Sequence, residues 1–440
     1  MTLFFYSLLC LIYFFLGRLA FKSWLNHLSV YVFFWYLIVF NYELRLLPFY
    51  DLQSEAWFVI FVSINLYGIG ALLGRFTFSY PFENILEKVS YYEKFSKKKI
   101  KIVKIILIST SILGVIIGTY NWYVLIQKYG SLGEVLIKGN LIYRMRVEGK
   151  LSEPVPYIFV VSYTALLLGA FYSAYLNRIS FWVVLAFLGV LLKETSTFGR
   201  AGILLGVFIL LFSFGYSNQF FLKGKAISLK VNKKIILIFV IVIFFSIIGA
   251  IVVRGTRGTF ENFKGASSSL RYSKDNIFFS PSLYFYFSSH IGVFSQYLKN
   301  NELHKTNFGE NTFLSLYNVL SKFNIVEKPK YYQIGYFIPY WANTGTYLRE
   351  IHEDFGDIGL FLIPFLLGLS VSLFLNKFFY TAKFFYLSLA VYLSSLSALS
   401  WITIISRTPQ WFLSFIFTVF IVSIFIDSSD KVLSKNQNDS

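Results

Sequence analysis

The 440-residue chain is 56% hydrophobic and only 14% charged, where a soluble domain carries about 25% charged residues, and its mean hydropathy is +0.61. So few polar residues cannot cover a soluble fold of this size, which excludes a soluble enzyme, a disordered chain and a nucleic-acid binder despite a formal net charge of +18. The chain reads as all-α, a polytopic transmembrane helix bundle. The single Cys10 rules out an internal disulfide and a thiolate zinc site, and the four histidines show no metal-ligand spacing.

A bilayer core of about 30 Å takes roughly 20 mainly apolar residues per helix. About eleven spans are predicted on that basis. In chain order they are Leu3–Gly17, Leu28–Phe40, Ala56–Leu73, Val103–Tyr123, Tyr157–Leu176, Ile179–Leu192, Ala201–Phe214, Ile235–Val253, Ile358–Leu375, Phe384–Ile405 and Trp411–Ile426. The first lacks a basic n-region and a small-residue cleavage site, and is expected to stay as an anchor. Lys and Arg concentrate in alternate connections, above all Lys88–Lys104 and Lys223–Lys234. The positive-inside rule then places the C-terminus in the cytoplasm and, with eleven spans, the N-terminus outside.

This divides the chain into residues 1–253 with eight spans, a large extracytoplasmic loop at 254–357, three spans at 358–426 and a cytoplasmic tail at 427–440. The loop is too long for a passive connection. Ser280-Pro281 predicts a helix start, with Ser as cap and Pro at the first helical position. A second helical pattern covers 311–323. Both are amphipathic and are expected to lie on the bilayer or cap a cavity.

Ionisable groups at membrane ends are costly unless paired, so they mark candidate sites. The first cluster is Lys193-Glu194 through Gly199-Arg200, expected as a tight outer turn. Arg200 there precedes a helix whose free N–H groups suit an anion, although a snorkelling arginine and a Glu194 ion pair explain it equally well. The second is Arg254-Gly-Thr-Arg257-Gly, two guanidiniums able to converge on a phosphate or pyrophosphate, or to contact lipid headgroups. The third runs from Asn343 to Gly359. As a helix it places Tyr347, Glu350, Ile351 and Asp354 on one face, and Arg349, His352, Glu353 and Gly356 on another. The plainest alternative is an Arg349–Glu353 pair beside a merely polar His352. Arg144 and Arg146 add positive charge after the fourth span. No P-loop is present, and no two Asp lie two residues apart, so a metal-held nucleotide sugar is not expected. A transferase with this pattern needs a lipid-linked donor.

Three stretches occur in order within the large loop: SHIGVFSQYL (289–298), FGENTFLSLYNVL (308–320) and NTGTYLREIHEDFGDIG (343–359). With the FGR turn at Arg200 and the RGTRG after the eighth span, they resemble the Wzy-type O-antigen and capsule oligosaccharide repeat-unit polymerases. The resemblance covers roughly 190–370 and, before that, hydropathy only. It implies a GT-C-like helical bundle in the bacterial cytoplasmic (inner) membrane, with its site facing the periplasm or exterior. It implies a glycosyltransferase that moves a glycan chain from undecaprenyl pyrophosphate onto an incoming lipid-linked repeat unit, with no metal or cofactor. Possible partners are a chain-length regulator and a flippase of the same pathway. On that resemblance Arg200, Arg254 and Arg257 stabilise the pyrophosphate leaving group, and His352, Asp354 or Glu350 handles the acceptor hydroxyl. Arg144, Arg146, Arg349, Tyr347, Asn343 and His290 are the expected substrate-binding residues. The related O-antigen ligases carry a histidine just before a Tyr-Leu pair. Here Asn343-Thr-Gly-Thr346 precedes Tyr347-Leu348, which argues against a ligase. A lipid-linked oligosaccharide flippase is the other alternative, and the chain lacks the repeated halves expected of one.

Overall fold

In the computed structural model, residues 1–77, 95–147, 150–199, 201–221, 261–274, 276, 280–300, 306–329 and 333–428 are described. Their helices are α1 (Thr2–Phe21), α2 (His27–Glu43), α3 (Ser54–Thr77), α4 (Lys97–Tyr129), α5 (Leu132–Ile137), α6 (Gly139–Val147), α7 (Val161–Tyr175), α8 (Phe181–Ser196) and α9 (Ala201–Phe221). After these come α10 (Ser268–Tyr272), α11 (Pro281–Asn300) and α12 (Leu314–Lys322), then a two-residue hairpin of β1 (Tyr336–Phe337) and β2 (Trp341–Ala342). The chain closes with α13 (Tyr347–Thr381), α14 (Phe384–Leu399) and α15 (Pro409–Ile421).

Among the described residues the protein is all-helical apart from that hairpin, as expected. Seven helical stretches among the described residues are long and apolar enough to cross a membrane: Thr2–Phe21, Ser54–Thr77, Lys97–Tyr129, Ile158–Tyr175, Ala201–Phe221, Tyr347–Thr381 and Pro409–Asp427. Three further predicted spans coincide with the shorter helices α2, α8 and α14, of 17, 16 and 16 residues. The predicted span at 235–253 lies outside the described residues. The predicted span Phe384–Ile405 ends early. Helix α14 stops at Leu399, and the chain continues as turns through a short 3-10 segment at Ile405–Arg407.

The chain forms two compact units, one of residues 1–74, 259–370 and 396–409, the other of 75–258, 371–395 and 410–440. In the first, Gly17 of α1 packs against Ser29 of α2, whose hydroxyl donates to the Phe14 carbonyl at 2.9 Å. Gly70 of α3 lies against the Phe365 backbone of α13, and Gly368 of α13 against Tyr67 of α3. Two glycines facing each other's helix let the backbones approach closely, the usual packing device inside a bilayer. Polar side chains are satisfied within this core: Tyr31, Ser63 and Tyr347 form a hydroxyl triangle with edges of 2.9–3.2 Å, and Trp35 Nε1 donates to Ser400 Oγ at 2.9 Å. Helix α11 begins where the sequence predicts, with Leu283 N–H donating to Ser280 Oγ at 3.4 Å and Pro281 at the first position.

In the second unit α4 packs along α7 and α8 through Gly114, Gly118 and Gly189. Phe95, Phe171, Phe220 and Phe384 form an aromatic cluster, each ring 4.4–5.8 Å from another. Asp427 caps α14 by accepting from Phe384 N (3.0 Å) and Phe385 N (2.8 Å), and pairs with buried Lys99 at 3.3 Å.

Candidate functional site

The 343–359 motif is helical from Tyr347, and residues 347–355 keep the predicted faces, whereas Gly356 leaves the helical geometry. Glu350 is fully buried and accepts from Gln333 Nε2 (2.8 Å), the Thr403 hydroxyl (2.6 Å) and the Ile404 backbone N–H. Its Oε1 also lies 2.5 Å from Arg407 Nη1. One turn on, Asp354 accepts from Asn311 N (2.9 Å), Asn311 Nδ2 (3.1 Å), Thr312 N (2.7 Å) and the Thr312 hydroxyl (2.7 Å). The second and third motifs are therefore clasped together by one carboxylate. The early end of α14 completes the cluster, because only a non-helical 400–408 can present both Ile404 N–H and Arg407 to Glu350.

On the other face Arg349 is buried. Its Nε donates to Glu353 Oε1 at 2.9 Å, and its Nη1 to the carbonyls of Ile334 (2.8 Å) and Asn343 (3.3 Å). The guanidinium lies between the rings of Tyr297 and Tyr336, 5.3 Å from each centroid. Burial raises the Tyr297 and Tyr336 hydroxyls above the ordinary phenol range, with Arg349 opposing the rise. His352 places Nδ1 2.8 Å from the Tyr297 hydroxyl and Nε2 3.1 Å from Asp357 Oδ1. An ionised carboxylate only accepts, so Nε2 carries a proton and donates to Asp357. Asp357 reaches back because Gly356 breaks the helical geometry at φ 61°, ψ −156°.

The three carboxylate and imidazole candidates lie on one helical stretch, and each is held by protein partners. Glu350 and Asp354 carry four contacts apiece, and both His352 nitrogens are engaged. The Arg349–Glu353 pair foreseen as the plainest alternative is present. Tyr347 belongs to the hydroxyl triangle, and Asn343 supplies a carbonyl to Arg349.

His290, from the first motif, is different. Its Nδ1 lies 3.0 Å from the Thr344 carbonyl oxygen, so Nδ1 carries the proton and donates. Nε2 is buried without a hydrogen-bond partner among the described residues. Burial pulls the imidazole down to about 4, partly offset by the backbone carbonyls of Thr344 and Tyr286.

Arg200, Arg254 and Arg257 lie outside the described residues. The segment before Arg200 departs from expectation, since Lys193 and Glu194 fall inside α8 and are buried. Glu194 Oε1 accepts from Lys193 Nζ (2.8 Å) and from the Tyr163 hydroxyl (3.0 Å). Its carboxylate rests on Gly202, where a side chain would collide with it. A carboxylate of the protein itself therefore lies beside the first turn of α9. Arg144 is exposed on α6, while Arg146 is mostly buried, 3.6 Å from Glu153, which stands equally far from Lys193. Burial holds the Arg146 guanidinium below its ordinary value, opposed by the charges of Glu153 and Glu194.

Sequence reasoning did not single out Arg407, Thr403, Gln333, Asn311, Thr312 or Tyr297. Asn311, Thr312 and Tyr297 lie inside the quoted motifs. Arg407 registered only as one more loop charge, because its partner is 57 residues away. The chain has no match among protein-family models, curated proteins or solved structures.

Proposed function

We propose that this chain polymerises undecaprenyl-pyrophosphate-linked oligosaccharide repeat units into surface polysaccharide on the outer face of the bacterial cytoplasmic membrane. The reading rests on the motif series 289–298, 308–320 and 343–359 and on its resemblance to the Wzy-type polymerases. The single observation that supports it most is the Asp354 clasp, which draws the second and third motifs into one buried polar cluster on a chain otherwise built of apolar helices. Polar clusters of this density in a membrane protein are costly and are kept for function.

In the proposed reaction an acceptor sugar hydroxyl forms a C–O bond to the anomeric carbon of the donor chain and gives up its proton, which passes to solvent. The bond from that carbon to the pyrophosphate oxygen breaks, and the electron pair leaves with the pyrophosphate. Arg200, Arg254 and Arg257 are the cations proposed to meet that developing charge.

The test is a gel profile of surface polysaccharide and lipid-linked glycan from cells lacking the gene. Single repeat units on carrier or core with no ladder are expected. Long chains stranded on the carrier would instead identify a ligase, and single units trapped on the cytoplasmic side a flippase. An unchanged profile would end the glycan reading.

A further inference from the structure

Among the described residues, His290 Nε2, Trp401 Nε1 and Thr346 Oγ1 are buried polar atoms of the first unit that lack a hydrogen-bond partner. They come from three distant stretches of chain held together by short contacts. His290 of α11 binds the Thr344 carbonyl, and Tyr347 N–H donates to the Ser400 carbonyl at 2.9 Å, so the 344–347 segment bridges His290 to the residue before Trp401. The imidazole and indole rings lie with centroids 5.8 Å apart, their planes at 62°. Phe34 (5.9 Å, 4°) and Phe287 (5.5 Å, 19°) stack near-parallel to the indole.

The chemical types of the three atoms restrict what fits. His290 Nε2 is a lone-pair acceptor whose tautomer is fixed by Thr344. Trp401 Nε1 is a donor only, and Thr346 Oγ1 is either. An anion is repelled by the Nε2 lone pair, and a cation by the indole N–H. A hydroxyl satisfies both with one oxygen, donating to Nε2 and accepting from Nε1–H. We propose that His290 Nε2 and Trp401 Nε1 form a hydroxyl-recognition site that takes one hydroxyl of a neutral glycan. Resting on the polymerase reading, this glycan is the acceptor repeat unit, and the hydroxyl is held by a neutral hydrogen-bond acceptor. His290 stays uncharged through the physiological range, so the site binds and orients the O–H without changing its own charge.

The test is chain elongation by the purified full-length protein in lipid nanodiscs, using lipid-linked oligosaccharide extracted from cells lacking the gene. His290→Asn keeps a side-chain N–H for Thr344 but has no acceptor at the Nε2 position. Trp401→Phe keeps the stacked ring and loses only the donor. Each is expected to raise KM for the lipid-linked unit roughly tenfold, as loss of one buried hydrogen bond does, with kcat and its pH profile little changed. His290→Gln, which places an amide near the Nε2 position, should recover part of the loss. In 15N-histidine spectra the His290 Nε2 signal, assigned by its absence in His290→Asn, should move on adding the lipid-linked oligosaccharide.

An unmoved signal with unchanged KM in Trp401→Phe overturns the site and identifies a resident water. That result leaves the polymerase reading intact. Failure of the unsubstituted protein to elongate overturns the polymerase reading, and the acceptor assignment with it. Trp401→Phe keeps the test decisive where His290→Asn fails to fold.

Discussion

Glu350 and Arg407 meet at 2.5 Å with side-chain exposures of 0% and 12%. A buried pair of this kind adds little net stability, but removing one partner strands the other charge. Glu350→Gln keeps an accepting oxygen at only one of the two positions, so either Thr403 and Gln333 or Ile404 loses its acceptor, and the Arg407 guanidinium loses its countercharge. It is expected to cost about 3–5 kcal/mol, measured as a fall in thermal unfolding midpoint of the detergent-solubilised protein. Asp354→Asn retains the shape but replaces one accepting oxygen with an N–H that faces donors from Asn311 and Thr312. A smaller loss of about 1–3 kcal/mol is expected there, with faster proteolysis of the 307–313 turn as the second readout. On the proposed function Arg200→Ala, Arg254→Ala and Arg257→Ala abolish chain extension while the protein stays inserted and abundant. Near-normal polymer length in all three would remove the pyrophosphate role. Lys at these positions should rescue only in part, because an ammonium lacks the two-pronged contact.

Among the elements, α13 depends on one residue for its shape. Gly356 sits at φ 61°, ψ −156°, a region populated essentially by glycine alone. The space around it is open, since a side chain there would meet only Thr306 Cγ2 at 3.6 Å. The cost of a substitution is therefore conformational. Gly356→Ala should lose about 1–3 kcal/mol or straighten the helix and separate His352 from Asp357. Histidine NMR of His352 distinguishes these outcomes from a merely tolerated change. Helix α12 shows the limits of periodicity in a different way. Leu314 is buried, while Phe313, Leu316, Val319 and Phe323 form an exposed stripe on the far side. The pattern correctly predicts an amphipathic helix, but hydrophobicity does not say which face meets protein when a bilayer is also a solvent for apolar groups.

For the molecule as a whole, His290 gives stability a definite pH dependence. Its folded-state value of about 4 lies below the ordinary value of 6.5, so the unfolded chain binds the proton more readily. The stability contributed by the neutral ring is complete above about pH 6.5 and is lost as pH falls towards 4. Unfolding midpoints measured across that window should decline, and His290→Asn should flatten the decline; an identical slope would assign it to other groups. The sequence alone determined the helical class and the apolar stretches, because membrane burial is additive along the chain and leaves a local hydropathy signal. It also determined the start of α11, the position of α12 and the two faces of the 347–355 helix, since capping and the 3.6-residue period are local. The tertiary structure decided what each charged residue does. Arg407 finds Glu350, Asn311 finds Asp354 and Trp401 lies beside His290 because α14 ends at Leu399 and Gly356 bends α13. Those pairings join residues 43 to 111 positions apart, and no local pattern records which buried charge will meet which partner.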